Sequence, residues 1–298
     1  MASLRPLRTT SVLRTLPHSI KPSPYLCRPL TTTPNLHHNT TVDPSEVTHF
    51  NALASTWWDP HGSSRLLHLM NPLRHTFISR CHSSQPDAPP PNRTLSYLDV
   101  GCGGGIFAES AARLKNTASV TAIDPSPEVL SVAVAHAKRD PGLVSMMGEG
   151  RLEYRNTSIE ELPRPGTEGG RQYDVVTLFE VLEHVTHPAP FLEHLLPFVK
   201  PGGWLVLSTI ARTWTSWLTT KVVAEEVVGI VPRGTHDWNK YINEGELREW
   251  FAKKEGWGNI RAMGVVYVPG LGWREVPGSE GLGNYFFGVR KEGDGVRA

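Results

Sequence analysis

Glu180, Glu183 and His184 stand at i, i+3 and i+4 in the stretch Glu180-Val-Leu-Glu-His184, directly after an apolar run. If the chain turns helically there, the three side chains share one face. Two carboxylates and one imidazole offer hard oxygen donors with a single nitrogen. That set suits Mg²⁺ or a similar ion that keeps water or substrate oxygens in its shell. A cation chelated by two adjacent phenolic oxygens would lower the phenol pKa and fix the nucleophile. His184 could instead take the proton itself as general base. A third reading leaves the carboxylates solvated or paired with a lid.

A second chemical stretch lies upstream. Tyr97-Leu-Asp-Val-Gly-Cys-Gly-Gly-Gly105 runs from an apolar strand into glycines and then into a helical pattern from Ile106. Strand, glycines and helix in that order form the nucleotide-binding corner of an open α/β sheet. A dinucleotide fingerprint would need a third glycine where Ile106 stands, so a pyrophosphate clamp is missing. Val120-Thr-Ala-Ile-Asp124 is a second strand ending in a carboxylate, placed to accept both hydroxyls of a ribose. Asp99-Val-Gly-Cys-Gly-Gly-Gly105 with Asp124 resembles motif I and its acidic partner in class I S-adenosylmethionine methyltransferases. Such enzymes also place acidic or histidine residues after the fourth strand with no metal.

The elements that must hold these residues alternate along the chain. Asp43 or Ser45 can cap a first helix carrying Phe50, Leu53 and Ala54. Trp57-Trp58-Asp59-Pro60 and Leu69-Met-Asn-Pro-Leu-Arg74 follow, and residues 42–80 read as a helical lid. Arg74, at an expected helix start after Asn71-Pro72, could reach a carboxylate of the ligand from above. Residues 81–96, with four prolines, read as a surface loop. Residues 127–139 read as a helix closed by Asp140-Pro-Gly, and Leu152-Glu-Tyr-Arg155 as strand three, with Ser158 and Ile159 at its ligand-side end. Tyr173-Asp-Val-Val-Thr-Leu-Phe179 reads as a central strand covered on both faces. A helix over 188–199 stops at Lys200-Pro-Gly-Gly203, before strand five at 204–209. Helix 244–251 and strands 261–268 and 284–290 follow, the last two expected to pair antiparallel across the glycine-rich loop 269–283. Together they make an α/β fold: a doubly wound, mostly parallel seven-stranded sheet with an N-terminal helical lid. Its cofactor-binding core spans 97–210, a lid or membrane-contact segment 211–243, and the last part of the sheet 244–291.

The 298 residues carry 30 basic and 29 acidic side chains, so no general basic surface invites nucleic acid. Cys27, Cys81 and Cys102 are scattered, odd in number and without a C-x-x-C, against a disulfide framework or structural zinc. The near-neutral balance conceals an asymmetry. Arg5, Arg8, Arg14, Lys21 and Arg28 precede the first acid, Asp43, in a Ser-, Thr- and Pro-rich stretch. That composition is expected of an organelle transit peptide over residues 1–41. Residues 42–298 would then be one domain, mildly acidic. No run of about 18 apolar residues suits a membrane span. Trp214, Trp217, Leu218, Val222, Val223, Val227, Val228, Ile230 and Val231, interrupted by Lys221, Glu225 and Glu226, form a candidate peripheral membrane contact or a substrate lid.

Six elements carry a closer resemblance. Phe50-Asn-Ala-Leu-Ala-Ser-Thr-Trp-Trp-Asp-Pro60, Asn71-Pro-Leu-Arg74, Leu98-Asp-Val-Gly-Cys-Gly-Gly-Gly-Ile106, Glu180-Val-Leu-Glu-His-Val185, Lys200-Pro-Gly-Gly203 and Gly234-Thr-His-Asp237 occur in the order found in the ubiquinone-biosynthesis O-methyltransferases. With the leader, the chain resembles that family's mitochondrial branch. The resemblance implies that Arg74, Gly101, Asp124 and Phe179 hold S-adenosyl-L-methionine, Phe179 through backbone or packing. It implies that Glu180, Glu183 and His184 hold Mg²⁺. It further implies O-methylation of polyprenylated catechols, polyprenyl-dihydroxybenzoate and demethylubiquinol, at the matrix side of the mitochondrial inner membrane. There the enzyme would meet surface lipids and other ubiquinone-biosynthesis proteins in a multi-subunit complex. The 81–96 loop and the 269–283 segment depart from the compact bacterial pattern.

Overall fold

The computed structural model of the chain describes residues 40–85, 93–212 and 240–293. The leader up to Asn39, Pro86, Pro89, Pro90 and Pro91, the apolar segment 214–231 and Gly234-Thr-His-Asp237 lie outside the described residues.

The described chain enters through α1 (Pro44–Leu53), where Asp43 is the N-cap and accepts from the Ser45 N–H at 2.9 Å. Helix α2 (Arg65–Ser83) runs straight through Pro72, so Arg74 lies inside a helix and not at its start. An interior proline costs roughly 3 kcal/mol. This helix buries Met70, Phe77, Ile78 and Cys81 against the sheet, at about 1.5–3 kcal/mol for each large apolar side chain. Packing therefore outweighs the local signal, and residues 81–83 join the helix.

Next come β1 (Leu95–Val100), α3 (Ile106–Ala112), β2 (Thr117–Asp124), α4 (Pro127–Ala137) and β3 (Leu152–Asn156). Between α4 and β3, Asp140-Pro-Gly opens a further helix, α5 (Pro141–Gly148), instead of merely closing α4. Asp140 accepts from the Gly142 N–H at 2.8 Å, and Pro141 takes the first helical position, where its missing donor costs nothing. The chain continues through β4 (Tyr173–Phe179), α6 (Pro188–Leu195), β5 (Val199–Ile210), α7 (Glu244–Ala252), β6 (Trp257–Val268), β7 (Gly272–Glu275) and β8 (Asn284–Lys291).

The strands form one sheet in the order β3-β2-β1-β4-β5-β8-β6-β7. The first five are parallel, while β8 pairs antiparallel with both β5 and β6. Alternate residues of the central strands serve opposite faces. Leu98, Val176, Leu178, Leu205 and Leu207 pack toward Leu192 of α6 and Phe251 of α7. Tyr97, Val175 and Val206 pack toward Phe77 of α2 and Phe107 of α3. This period of two, buried on both sides, is why β4 reads as a continuous apolar run.

Two local expectations yield to the sheet. Lys200-Pro-Gly-Gly203 belongs to β5, whose register with β4 shifts between the Tyr173–Val199 and Val175–Trp204 pairs, so a bulge absorbs the glycines. Glycine is required there, since a Cβ on Gly203 would sit 2.8 Å from the Asp174 carbonyl oxygen. The 269–283 loop contains the short β7, paired antiparallel with β6, which adds an eighth strand at the sheet edge.

Candidate active site

The strand order reverses between β1 and β4, and at such a switch point the carboxyl ends of the strands leave a crevice. One cavity occupies it. Arg74, Gly101, Asp124, Phe179, Glu180, Glu183 and His184 all line this cavity, and so do Ser158 and Ile159. α1 supplies a wall with Glu46 and Phe50.

Asp124, at the end of β2, is buried. Its Oδ2 accepts from the Gly103 N–H at 2.8 Å and its Oδ1 from the Ser126 N–H at 2.9 Å. Burial pushes this carboxyl up to about 6, against the pull of those two amides. The carboxylate is thus fixed in direction by the glycine turn and the start of α4. The turn itself is shaped by positive φ at Gly101, +69°, where a Cβ would meet Val181 Cγ2 at 2.6 Å. At Gly103 and Gly104 the close neighbour is Trp57, whose ring atoms would lie 2.5 and 2.2 Å from added Cβ atoms. The glycines therefore admit an indole from the N-terminal segment. Trp58 adds a hydrogen bond from Nε1 to the Gly104 carbonyl at 2.8 Å.

Arg74 reaches the cavity from α2 with its guanidinium carbon 4.7 Å from the centre of the Phe179 ring. Phe179, at the end of β4, is buried and packs edge-to-face with Phe107 at 4.8 Å. Arg74 is 4 % exposed, and burial lowers its pKa against the charges of Glu180 and Asp99. Its Nε has no hydrogen-bond partner among the described residues, and neither has the buried Oδ2 of Asp99. Asp99 donates nothing while ionised, and its Oδ1 accepts from the Thr177 hydroxyl at 2.7 Å. Burial raises its pKa to about 7. Buried polar atoms without partners cost about 1–3 kcal/mol each. A ligand carrying both a carboxylate and an ammonium group would satisfy the pair.

The acid and histidine cluster is built differently from the expected helical turn. Glu180 adopts φ +57°, a left-handed conformation uncommon outside glycine, and a 3₁₀ turn covers only Leu182–His184. The carboxylates are held instead by consecutive hydroxyls of β5. Ser208 Oγ donates to Glu180 at 2.6 Å and Thr209 Oγ1 to Glu183 at 2.7 Å. Burial, and then the neighbouring Glu180 charge, hold the Glu183 carboxyl well above the usual carboxylate range. His184 Nδ1 lies 2.9 Å from Glu46 Oε2, and Phe50 sets its ring edge-to-face at 4.9 Å from the imidazole. Burial opposes protonation of His184, but the Glu46 hydrogen bond and the charges of Glu183 and Glu46 outweigh it and raise its pKa. Glu46 is held down at about 2 by His184 and Lys240 despite its burial. Among the described residues no three such side chains are gathered closely enough to hold an ion. Each of the three is drawn to a separate partner, which corrects the expectation of a preformed helical ligand face.

Glu46, Phe50, Trp57, Asp99, Ser208 and Thr209 join this site without having been picked out as such in the sequence. Asp99 carried a signal, a carboxylate inside an otherwise apolar strand. Glu46 had none, because its partner is 138 residues away.

The family described as "Methyltransferase domain" matches residues 74–261. The mitochondrial ubiquinone biosynthesis O-methyltransferase of Schizosaccharomyces pombe is 46% identical over 264 residues, covering 85% of this chain and 88% of that protein. That of Saccharomyces cerevisiae is 36% identical, covering 85% and 89%. The ubiquinone biosynthesis O-methyltransferase of Cereibacter sphaeroides (strain ATCC 17025) is 39% identical, covering 77% and 88%. Among solved structures, the plantazolicin methyltransferase BpumL in complex with SAH shares the fold at 18% identity with a TM-score of 0.54, covering 83% of this chain and 97% of that one. A glycine turn with its acidic partner, an arginine above them and an acid–histidine cluster in one crevice thus coincide with extensive identity, and the chain belongs to the ubiquinone biosynthesis O-methyltransferases.

Proposed function

We propose that this protein transfers the methyl group of S-adenosyl-L-methionine to a phenolic oxygen of polyprenylated catechols, polyprenyl-dihydroxybenzoate and demethylubiquinol, in ubiquinone biosynthesis. The observation that carries the reading is the single crevice in which Asp124 and the glycine turn stand beside Glu180, Glu183 and His184. Asp124 would accept the ribose hydroxyls. Arg74 Nε and Asp99 Oδ2 would take the carboxylate and ammonium of the methionine portion, which suits their lack of other partners. In the transfer, the sulfur–methyl bond breaks with its electron pair left on sulfur, the oxygen–methyl bond forms, and the phenolic proton leaves to a base. The products are S-adenosylhomocysteine, the methyl ether and that proton.

Glu180, Glu183 and His184 would hold Mg²⁺ once drawn together from their separate partners. All three line the cavity and offer two carboxylates and an imidazole, a donor set that suits a hard cation. The ion, when bound, would lower the pKa of the acceptor hydroxyl. A second reading is favoured by the separate partners of these side chains. With Nδ1 engaged by Glu46, His184 has only Nε2 to offer, as a ligand or as the general base. Methyl transfer to a catechol and to its mono-phenol analogue, each with and without chelator, separates the two. We expect chelation to abolish turnover, added Mg²⁺ to restore it, and S-adenosylhomocysteine binding to survive. Full activity after exhaustive chelation would leave His184 as plain base.

The fungal relatives named above are called mitochondrial, which together with the acid-free leader supports import into mitochondria. Residues 1–41 would be the leader and 42–298 the enzyme, with 42–80 as its lid. Work at the matrix face of the inner membrane, among other ubiquinone-biosynthesis proteins, would follow from the membrane-dwelling substrate.

A further inference from the structure

α1 contributes a contact to the site that its own sequence does not announce. Glu46 lies in the first turn of that helix, where the amide dipoles favour a carboxylate. Its Oε1 accepts from Lys240 Nζ at 2.8 Å, and Lys240 also lies 3.5 Å from the N-cap Asp43. Its Oε2 faces His184 Nδ1 at 2.9 Å. Both partners are largely enclosed, with side chains 16 % and 21 % exposed, so water competes weakly for either. Phe50 packs against the imidazole in a T-shaped contact at 4.9 Å.

A carboxylate already paired with a lysine can only accept. Opposite it, a neutral imidazole must carry its proton on Nδ1, which leaves the lone pair on Nε2. We propose that Glu46 is a positioning residue that locks His184 in the Nδ1–H form and so makes Nε2 the atom presented to substrate or ion. The inference rests on the function proposed above, and it holds whether His184 serves as base or as ligand. A carboxylate behind an imidazole acts in both settings by fixing tautomer and ring direction.

The test reads the tautomer directly, by ¹⁵N chemical shifts of histidine-labelled full chain with S-adenosylhomocysteine, on the neutral imidazole at alkaline pH. The parent should show a protonated Nδ1 and a bare Nε2 at His184. Glu46→Leu should move the proton to Nε2 and lower kcat about 10- to 100-fold, with the KM for S-adenosylmethionine unchanged. Glu46→Gln should behave like Glu46→Leu, because Lys240 Nζ claims the one amide oxygen and leaves the NH2 donor facing Nδ1, which favours the Nε2–H form. A parent His184 protonated at Nε2 overturns the proposal without any variant needing to fold. So does a Glu46→Leu variant that loses kcat with its tautomer intact, which would make Glu46 a mere anchor of α1. Absence of methyl transfer by the parent would count against the proposed function alone, since the nitrogen shifts remain readable.

Discussion

At the scale of the residue, the site combines groups whose charge is opposed by burial with groups whose charge is supported by a partner. Asp124 belongs to the first kind, and its carboxyl, pushed up to about 6, titrates within an accessible range. If Asp124 holds the ribose as proposed, only its ionised form would accept from both hydroxyls, so the affinity for S-adenosylhomocysteine should fall as pH drops through about 6. Below it the slope attributable to Asp124 approaches tenfold per pH unit, one unit being about 1.4 kcal/mol. Calorimetric titration between pH 8 and pH 5 checks this, and Asp124→Asn should flatten that part of the profile. Asp124→Ala should cost about 2 to 4 kcal/mol of affinity with the fold intact. Unchanged affinity in that variant would remove Asp124 from the ribose site.

Turns, helices and strands are where a single atom couples distant parts of the chain. A Cβ on Gly101, in the turn after β1, would collide with Val181 in the turn after β4. Gly101→Ala meets two costs, the positive φ and the collision with Val181 Cγ2, together roughly 1–3 kcal/mol. Urea unfolding should show that loss, and adding Val181→Ala should return only the collision part. Full recovery in the double variant would mean that the backbone angle imposes no strain. The same reasoning explains the N-terminal tryptophans, since Trp57 lies where any side chain at Gly103 or Gly104 would stand.

On the proposed function, the whole molecule would have to bring its crevice to an acceptor whose tail lies in a membrane. None of its described helices is long and apolar enough to cross a membrane. The candidate contact, 214–231, lies outside the described residues and stands on its composition, tryptophans with valines and flanking cations. Trp217→Glu with Val228→Glu should release the protein from cardiolipin-containing vesicles while sparing S-adenosylhomocysteine binding. Co-sedimentation equal to that of the parent would place the contact elsewhere.

Sequence by itself determined the doubly wound sheet, because strands buried on both faces and glycine turns at their ends are local patterns. It also determined that Gly101, Asp124, Glu180, Glu183 and His184 would meet, since strand ends on one edge of a parallel sheet share one crevice. Tertiary structure alone decided how they meet. The helix through Pro72 exists because the sheet rewards burial of Phe77 and Cys81, an energy absent from the local sequence. The eighth strand exists because β6 offers a free edge to Gly272–Glu275. The directions of Glu180, Glu183 and Glu46 come from Ser208, Thr209 and Lys240, and that of His184 from Glu46. Those partners lie 26 to 194 residues away from the groups they hold. Spacing along a chain records which side chains share a face, whereas hydrogen bonds across such separations form only once the fold has closed the distance.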